Sequence, residues 1–210
     1  LINNVVDVTL PPKAMRVYKQ METLLMTQLD GNLVTAANVG AATMKCRQIA
    51  NGGIYLDEGG KTDHVHDVKT EAVMELLEEL SGKPALIAYE FRHDLERLGK
   101  ALDKAYKGQW AYIGGGVSGK AARTIEDRWN AGGLRALLAQ PASVAHGLNL
   151  QGTSAAVIFH SNIWNLEEDE QLVRRVWRQG QKERVVVHRI RALGTVDEAI
   201  MLGLGRKDRT

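Results

Sequence analysis

From Lys69 onward the chain alternates between two rhythms, and this alternation narrows the fold more than any other feature. Short apolar runs, "PALIAYEF", "QWAYIGGG", "LRALLAQ", "AAVIFHS" and "RVVVHRIRA", are separated by stretches of helical type. In the first of these stretches Val73, Met74, Leu76, Leu77 and Leu80 fall on one side, with glutamates on the other. The later ones include "HDLERLGKAL" and "KAARTIEDRWNAGG", where Ile125 and Trp129 are four apart and two glycines close the end. "EDEQLVRRVWRQ" and "TVDEAIMLGL" complete the set, the second capped by Thr195 with Asp197 and Glu198 in its first turn. Strands alternating with helices of about ten residues imply a mostly parallel sheet covered on both faces, an α/β fold. In such sheets ligands gather at the carboxyl ends of strands.

The residues before this region read differently. Pro11 and Pro12 precede a helical pattern with Ala14, Tyr18, Met21, Leu25 and Gln28 on one stripe, stopped by Asp30 and Gly31. A second helix is expected from Asn38 to Ala50, ending at "NGG", and the polar "DEGGKTDHVHD" reads as a loop. The expected organisation is a helical extension over 1–62 and a main domain over 63–210. The opening "LINNVVDVTLPP" reads like a strand already under way, without an initiating methionine, so a piece of a longer protein is expected. It also lacks the basic start and long apolar stretch of a secretory signal.

At 44% apolar and 25% charged residues, 210 residues can build a packed core without staples. No apolar run approaches the roughly 18 residues of a membrane span, so no membrane partner is expected. The single cysteine, Cys46, excludes an internal disulfide framework, suggests a reducing compartment, and reads as a small buried apolar residue. His64 and His66 lie beside Asp63 and Asp67, but no further ligand cluster supports a metal site.

Two motifs bear on phosphate chemistry. "GGGVSGKA", Gly114 to Ala121, nearly satisfies the phosphate-loop pattern, with Gly114, Gly119 and Lys120 in place. Its last position is Ala121, which has no hydroxyl for magnesium, so a flexible strand-to-helix turn is the favoured reading. Lys120 and Arg123 could still touch a phosphate backbone. The second is "VRRVWRQGQK". With Gln171 as zero on a helical wheel, Arg175, Arg178 and Arg174 fall at about 40°, 340° and 300°, and Leu172, Val176, Val173 and Trp177 fill the opposite arc. From Leu172 to Arg191 there are seven Arg or Lys residues and one acidic residue, Glu183. A solvated basic face is one reading. The other is a phosphate grip, favoured by arginine at every basic helical position, since its planar fork suits bidentate contact and its charge cannot be lost.

"EQLVRRVWRQGQ" resembles the sixth motif of helicase superfamily two, Q-x-x-x-R-x-x-R, in the version followed by x-G-Q that marks the Swi/Snf-type DNA translocases. "KTEAVMELLEELSGKPALIAYEF" is similar to the segment leading into motif four, and "YIGGGVSGKAARTIEDRWNAG" to the turn and helix after it. "AQPASVAHGLNLQGTSAAVIFHSNIWNLE" resembles motif five and the tryptophan-bearing stretch beyond, and "VVVHRIRALGTVDEAIM" the family's exit. The resemblance runs from Lys69 to about Leu204, with wording nearest to phage and bacterial members. Arg174 stands where an acidic residue is common and Trp177 where histidine is common.

The resemblance implies the second RecA-like lobe, three layers deep, of a two-lobed ATPase that tracks along double-stranded DNA. Arg178 and Arg175 would reach the ATP phosphates, Arg178 as the arginine finger, with Gln171 and Gln181 nearby. Gly147, Leu148 and Asn149 would form a nucleotide-sensing loop, although "HGLNL" alone is an ordinary helix-entry turn. Ser143, His146, Lys120, Arg123 and Trp164 would contact DNA, and for Trp164 core packing is an equal reading. ATP and Mg²⁺ would be held mainly by the first lobe, the expected partner, whose phosphate loop and acidic pair are not in this sequence. The implied setting is the cytoplasm of a bacterial or phage-infected cell. Two other functions remain open: a non-catalytic nucleic-acid-binding domain, and a stand-alone phosphate-loop NTPase using Lys120.

Overall fold

The computed structural model describes the chain apart from residues 30, 145, 146, 153, 155, 180, 182 and 208–210, and the side chains of 206 and 207. His146 therefore lies outside the described residues. In chain order the elements are β1 (Ile2–Val8), α1 (Pro12–Leu24), β2 (Met26–Leu29), β3 (Asn32–Thr35), α2 (Val39–Asn51), β4 (Gly53–Tyr55), β5 (Thr62–His64), α3 (Val68–Glu79) and β6 (Ala85–Ala88). They continue with α4 (Arg92–Tyr106), β7 (Trp110–Ile113), α5 (Gly119–Asn130), β8 (Ala136–Ala139), α6 (Pro141–Val144), β9 (Ala156–Phe159), α7 (Leu166–Val176), β10 (Val186–Ala192) and α8 (Val196–Lys207).

Six strands form one wholly parallel sheet in the order β1-β10-β9-β6-β8-β7. Strands β6, β8 and β9 are buried at every position because helices cover both faces. Successive side chains point to opposite sides. Leu86, Leu137, Val157 and Phe159 therefore meet Trp129 of α5, Val144 of α6 and Leu172, Val173 and Val176 of α7. Ile87, Leu138 and Ile158 meet Val73, Leu76 and Leu77 of α3 and Leu98 and Leu102 of α4 on the other face. Each such leucine or isoleucine stabilises the fold by about 1.5–3 kcal/mol. This is the three-layer α/β architecture expected from the sequence.

The first 62 residues depart from a plain helical extension. Strand β1 lies at the sheet edge beside β10, in register from Ile2 against Val186 to Val8 against Ala192. Helix α1 stops at Leu24, and Leu25 turns the chain with φ 56°. The residues expected to prolong the helix instead form β2, which pairs antiparallel with β3. "MTQL" fits a period of two as well as a helical one, and burial of Thr27 and Leu29 with Met26 and Gln28 outside settles the choice. The expected loop contributes β5, which pairs with β4. A third apolar cluster, with Tyr18, Met21, Cys46 and Ile49, fastens α1 and α2 to Ala192 at the end of β10. Cys46 is buried there, and burial pushes its thiol up to about 11.

Helix α2 closes on Gly52, whose φ of 114° favours glycine and whose added Cβ would lie 2.2 Å from the His66 carbonyl oxygen. His66 is itself turned inward. Its Nε2 donates to the Ile49 carbonyl at 2.8 Å, and its Nδ1 accepts from the Val68 amide at 3.3 Å. Both bonds exist together only in the neutral ring. His64, outside, lies 3.0 Å from Asp67.

Candidate functional site

Helix α7 carries the arginine motif, and charge suits both its ends. Asn165 caps it by accepting from the Glu167 and Glu168 amides at 3.1 and 3.3 Å. Glu167, Glu168 and Asp169 occupy the first turn and Arg174 and Arg175 the last, each favoured by the helix dipole. Arg189 of β10 grips the buried Asp169 through two bonds of 2.7 and 2.6 Å, with its guanidinium 4.2 Å from the centre of the Phe159 ring. The helix is thus pinned to the sheet at its acidic end.

It ends at Val176, earlier than the wheel assumed. Trp177, at φ −90° and ψ 87°, leaves the helix, and the indole expected on the buried arc is 48% exposed. Arg178 follows beyond the helix rather than on it. The chain turns here to reach β10, and Gln181 closes the turn. Its Nε2 donates to the Ser154 carbonyl at 3.0 Å and to the Val176 carbonyl at 3.4 Å, and its Oε1 accepts from the Glu183 amide.

Gln171, Arg174, Arg175, Trp177 and Arg178 line an open hollow of about 650 Å³. Arg178 is exposed, and its guanidinium has no ion pair or hydrogen bond among the described residues. Arg175 is half-buried and donates through Nη1 to the Leu148 carbonyl at 3.1 Å. Arg174 pairs with Glu170 at 3.1 Å in solvent, a contact worth at most about 0.5 kcal/mol. Gln171 donates to Glu167 at 3.1 Å. A helix joining two neighbouring parallel strands runs back along the sheet, so the arginine end of α7 lies toward the amino ends of β9 and β10. This differs from the carboxyl-end location expected for ligands. Gly147, Leu148 and Asn149 are brought to the same place, Gly147 with φ 85° and open space around it.

The residues expected at DNA follow the other strand ends. Lys120 and Arg123 come after β7, Ser143 after β8 and Trp164 after β9, so the parallel topology places all four toward the carboxyl rim. Lys120 and Arg123 are exposed. Ser143 donates to Gln140 at 3.3 Å. Trp164 is 45% exposed, with its ring against Gly203 of α8. In the glycine turn, amides that a phosphate would need are already used. Gly115 donates to Gln140 Oε1 at 3.2 Å, Val117 to the Gly114 carbonyl at 3.1 Å, and Ala121 to Ser118 Oγ at 3.2 Å.

The carboxyl edge between β6 and β9, where a small ligand would be sought, is filled by side chains that the sequence reading missed. Arg47 of α2 pairs with Glu90 and donates to the Asn162 carbonyl. Asn51 donates to Asp94 at 3.0 Å and to Ser161 at 2.7 Å, Ser161 donates to Asp94 at 2.9 Å, and Arg97 adds a 3.0 Å bond. Lys69, fully buried, joins Asn51 at 2.8 Å and Asp197 at 2.7 Å. These residues come from five separated segments, and no local pattern marks them.

Burial alone would raise the Asp94 pKa, but His93 at 3.2 Å and the neighbouring His160 and Arg97 outweigh it and hold the carboxyl below its usual range. Burial pushes His160 down to about 3, with Lys69 and Arg97 adding to it against the pull of Asp94. His66 falls to about 4 for the same first reason. Through these two histidines the unfolded chain takes up, as pH falls from about 6.5 to 4, up to two protons that the folded chain excludes, an effect that the raised Glu90 carboxyl partly opposes. Stability is expected to fall with acidity across that window, by up to about 2.7 kcal/mol per pH unit. Urea midpoints measured at several pH values check this, and flat midpoints between neutrality and pH ~5 would contradict it.

Residues 68–180, more than half of the chain, match the family described as helicase conserved C-terminal domain. The chain belongs to that family. Protein p41 of Acyrthosiphon pisum secondary endosymbiont phage 1 is 38% identical over 205 residues, covering 95% of this chain and 42% of p41. A DNA repair and recombination protein RAD54-like of Danio rerio is 44% identical over 55 residues, covering 26% of this chain and 7% of that protein. The chain thus spans less than half the length of these relatives. Among solved structures, the C-terminal part of the Fun30 ATPase domain superposes with TM-score 0.73 at 13% identity, covering 97% of this chain and 88% of that one. The Sulfolobus solfataricus SWI2/SNF2 ATPase C-terminal domain gives 0.69 at 22% identity, covering 100% and 87%. The helicase C-terminal fold therefore extends beyond residues 68–180 to β1 and α8, and the resemblance read from the sequence holds. No helix among the described residues is long and apolar enough to cross a membrane.

Proposed function

We propose that this chain is the C-terminal motor lobe of an ATP-dependent translocase on double-stranded DNA, and that it supplies an arginine finger to ATP bound by a first RecA-like lobe. The observation carrying this reading is Arg178, exposed beside Arg175 at an open hollow just past the end of a helix fixed to the sheet. The hollow is lined by guanidinium, side-chain amide and indole N–H donors and, among the described residues, by no carboxylate, which suits phosphate oxygens. Mg²⁺ takes oxygen ligands from carboxylates and phosphates, so its protein ligands would come from the companion lobe. Bound there, ATP–Mg²⁺ supplies the phosphoryl group to be transferred. Arg178 would stabilise charge developing on it, and Arg175 would hold a second phosphate oxygen.

Lys120, Arg123, Ser143 and Trp164 are proposed as the DNA rim, with the lysine and arginine contacting phosphates irrespective of sequence. The division into an extension over 1–62 and a lobe over 63–210 is likewise proposed, with β1 as the strand that the extension lends to the sheet. A finger without a cradle does not hydrolyse ATP. The 210-residue chain alone is therefore expected to show negligible phosphate release with or without duplex DNA, and joining it to its first lobe is expected to restore DNA-stimulated release. Robust hydrolysis by this chain alone would overturn the division of parts.

A further inference from the structure

One helix reaches from the proposed DNA rim to the arginine hollow. Helix α5 carries Lys120 and Arg123 near its start, and its far end lies about 15 Å away at 1.5 Å per residue. There, three of its side chains hold consecutive backbone groups of the loop after α6. Glu126 Oε1 accepts from the Asn149 amide at 2.7 Å, Asn130 Nδ2 donates to the Asn149 carbonyl at 2.9 Å, and Trp129 Nε1 donates to the Leu150 carbonyl at 3.0 Å. The loop then passes so close that a Cβ on Gly152 would lie 3.1 Å from both Asn130 Oδ1 and Trp129 Nε1. On its other side the same loop presents the Leu148 carbonyl to Arg175. Both backbone groups of Asn149 are thus committed to α5, one residue from the carbonyl that Arg175 holds.

We infer that Glu126 and Asn130 are positioning residues, which set the loop at Leu148 and thereby the aim of Arg175, and that α5 links the DNA rim to the nucleotide site. A loop gripped through its peptide groups has to follow the helix that grips it. A shift of α5 at Lys120 and Arg123 therefore reaches the Leu148 carbonyl without passing through the sheet. This rests on the motor reading above.

The test uses the motor assembled from both lobes, together with this 210-residue chain for amide exchange. Asn130→Asp has the same shape but sets a carboxylate against the Asn149 carbonyl. It is expected to lower kcat for DNA-stimulated hydrolysis on the order of tenfold with little change in the DNA half-saturation concentration. Glu126→Ala is expected to do the same, and Glu126→Gln, which keeps an acceptor oxygen, to restore most of the loss. In this chain, Glu126→Ala is expected to speed exchange of the Asn149 amide on the order of tenfold, and Glu126→Gln far less. Lys120→Ala should act instead on DNA half-saturation. An active Asn130→Asp motor, or unchanged Asn149 exchange in Glu126→Ala, overturns the clamp while leaving the motor reading intact. A wild-type motor without DNA-stimulated hydrolysis overturns the motor reading and this inference together.

Discussion

In the motor assembled from both lobes, Arg178→Lys is expected to lower DNA-stimulated ATP hydrolysis by about 10³-fold or more while duplex binding persists. The size of the effect follows from what lysine lacks. Its ammonium is a point charge on a flexible stem, whereas the guanidinium presents a planar fork matched to two phosphate oxygens. Position adds to this. Arg178 stands two residues past the end of a helix anchored by the Asp169–Arg189 pair, so it is presented from a rigid base. Its guanidinium also has no partner to abandon among the described residues before meeting a phosphate. Arg174→Lys is the useful contrast: Arg174 already spends its charge on Glu170 in solvent, and a change of only a few-fold is expected. Steady-state phosphate release at saturating duplex, read beside duplex affinity at several salt concentrations, distinguishes the possibilities. If the arginines merely grip a DNA backbone, Arg178→Lys leaves hydrolysis intact and any change appears in affinity and its salt dependence. That result would remove the finger.

Asp94→Ala is expected to destabilise the chain by about 3–5 kcal/mol, the largest structural effect of any single change considered. Asp94 is fully buried at the start of α4. Its carboxylate accepts from the Phe91 amide at 3.0 Å, from Asn51 and Ser161, and from Arg97. Removing it takes from the largely buried Arg97 guanidinium its nearer carboxylate, leaving only Asp67 at 3.9 Å, and deprives the buried Asn51 and Ser161 donors of the acceptor they share. Asp94→Asn keeps the shape and one acceptor and should cost less. The pH dependence has a definite sign. Because the folded pKa is depressed, the carboxylate's contribution is fully present above its unfolded value near 4 and fades as pH falls below it. The gap between wild type and Asp94→Ala in urea denaturation should therefore narrow only below about pH 4. A difference of less than about 1 kcal/mol at neutral pH would show that water replaces these bonds at little cost.

The same residues show where sequence reading succeeds. Four-residue runs such as "ALIA", "ALLA" and "AVIF" pointed to buried parallel strands because they are too short for buried helices and alternate with helical stretches. The arginine motif was legible because its spacing is local. Its setting was less so. The wheel carried the helix through Arg178, yet Trp177 leaves it, since the chain has to turn back toward β10 and Gln181 closes that turn. "MTQL" satisfies a helical and a strand period at once, and only pairing with β3 chose between them.

Local order along the chain determined the alternation of strand and helix, the parallel sheet and the presence of a clustered arginine set, because each is written in neighbouring residues. Three things were decided only in three dimensions. One is the seam of Arg47, Asn51, Lys69, Asp94 and Ser161 that binds the first 62 residues to the sheet. Another is the hold of α5 on the Asn149 peptide. The last is the edge of the sheet at which the arginines emerge. All three depend on contacts between segments tens of residues apart, and a single polar side chain gives no sign of which distant backbone group or charge will satisfy it once water is excluded.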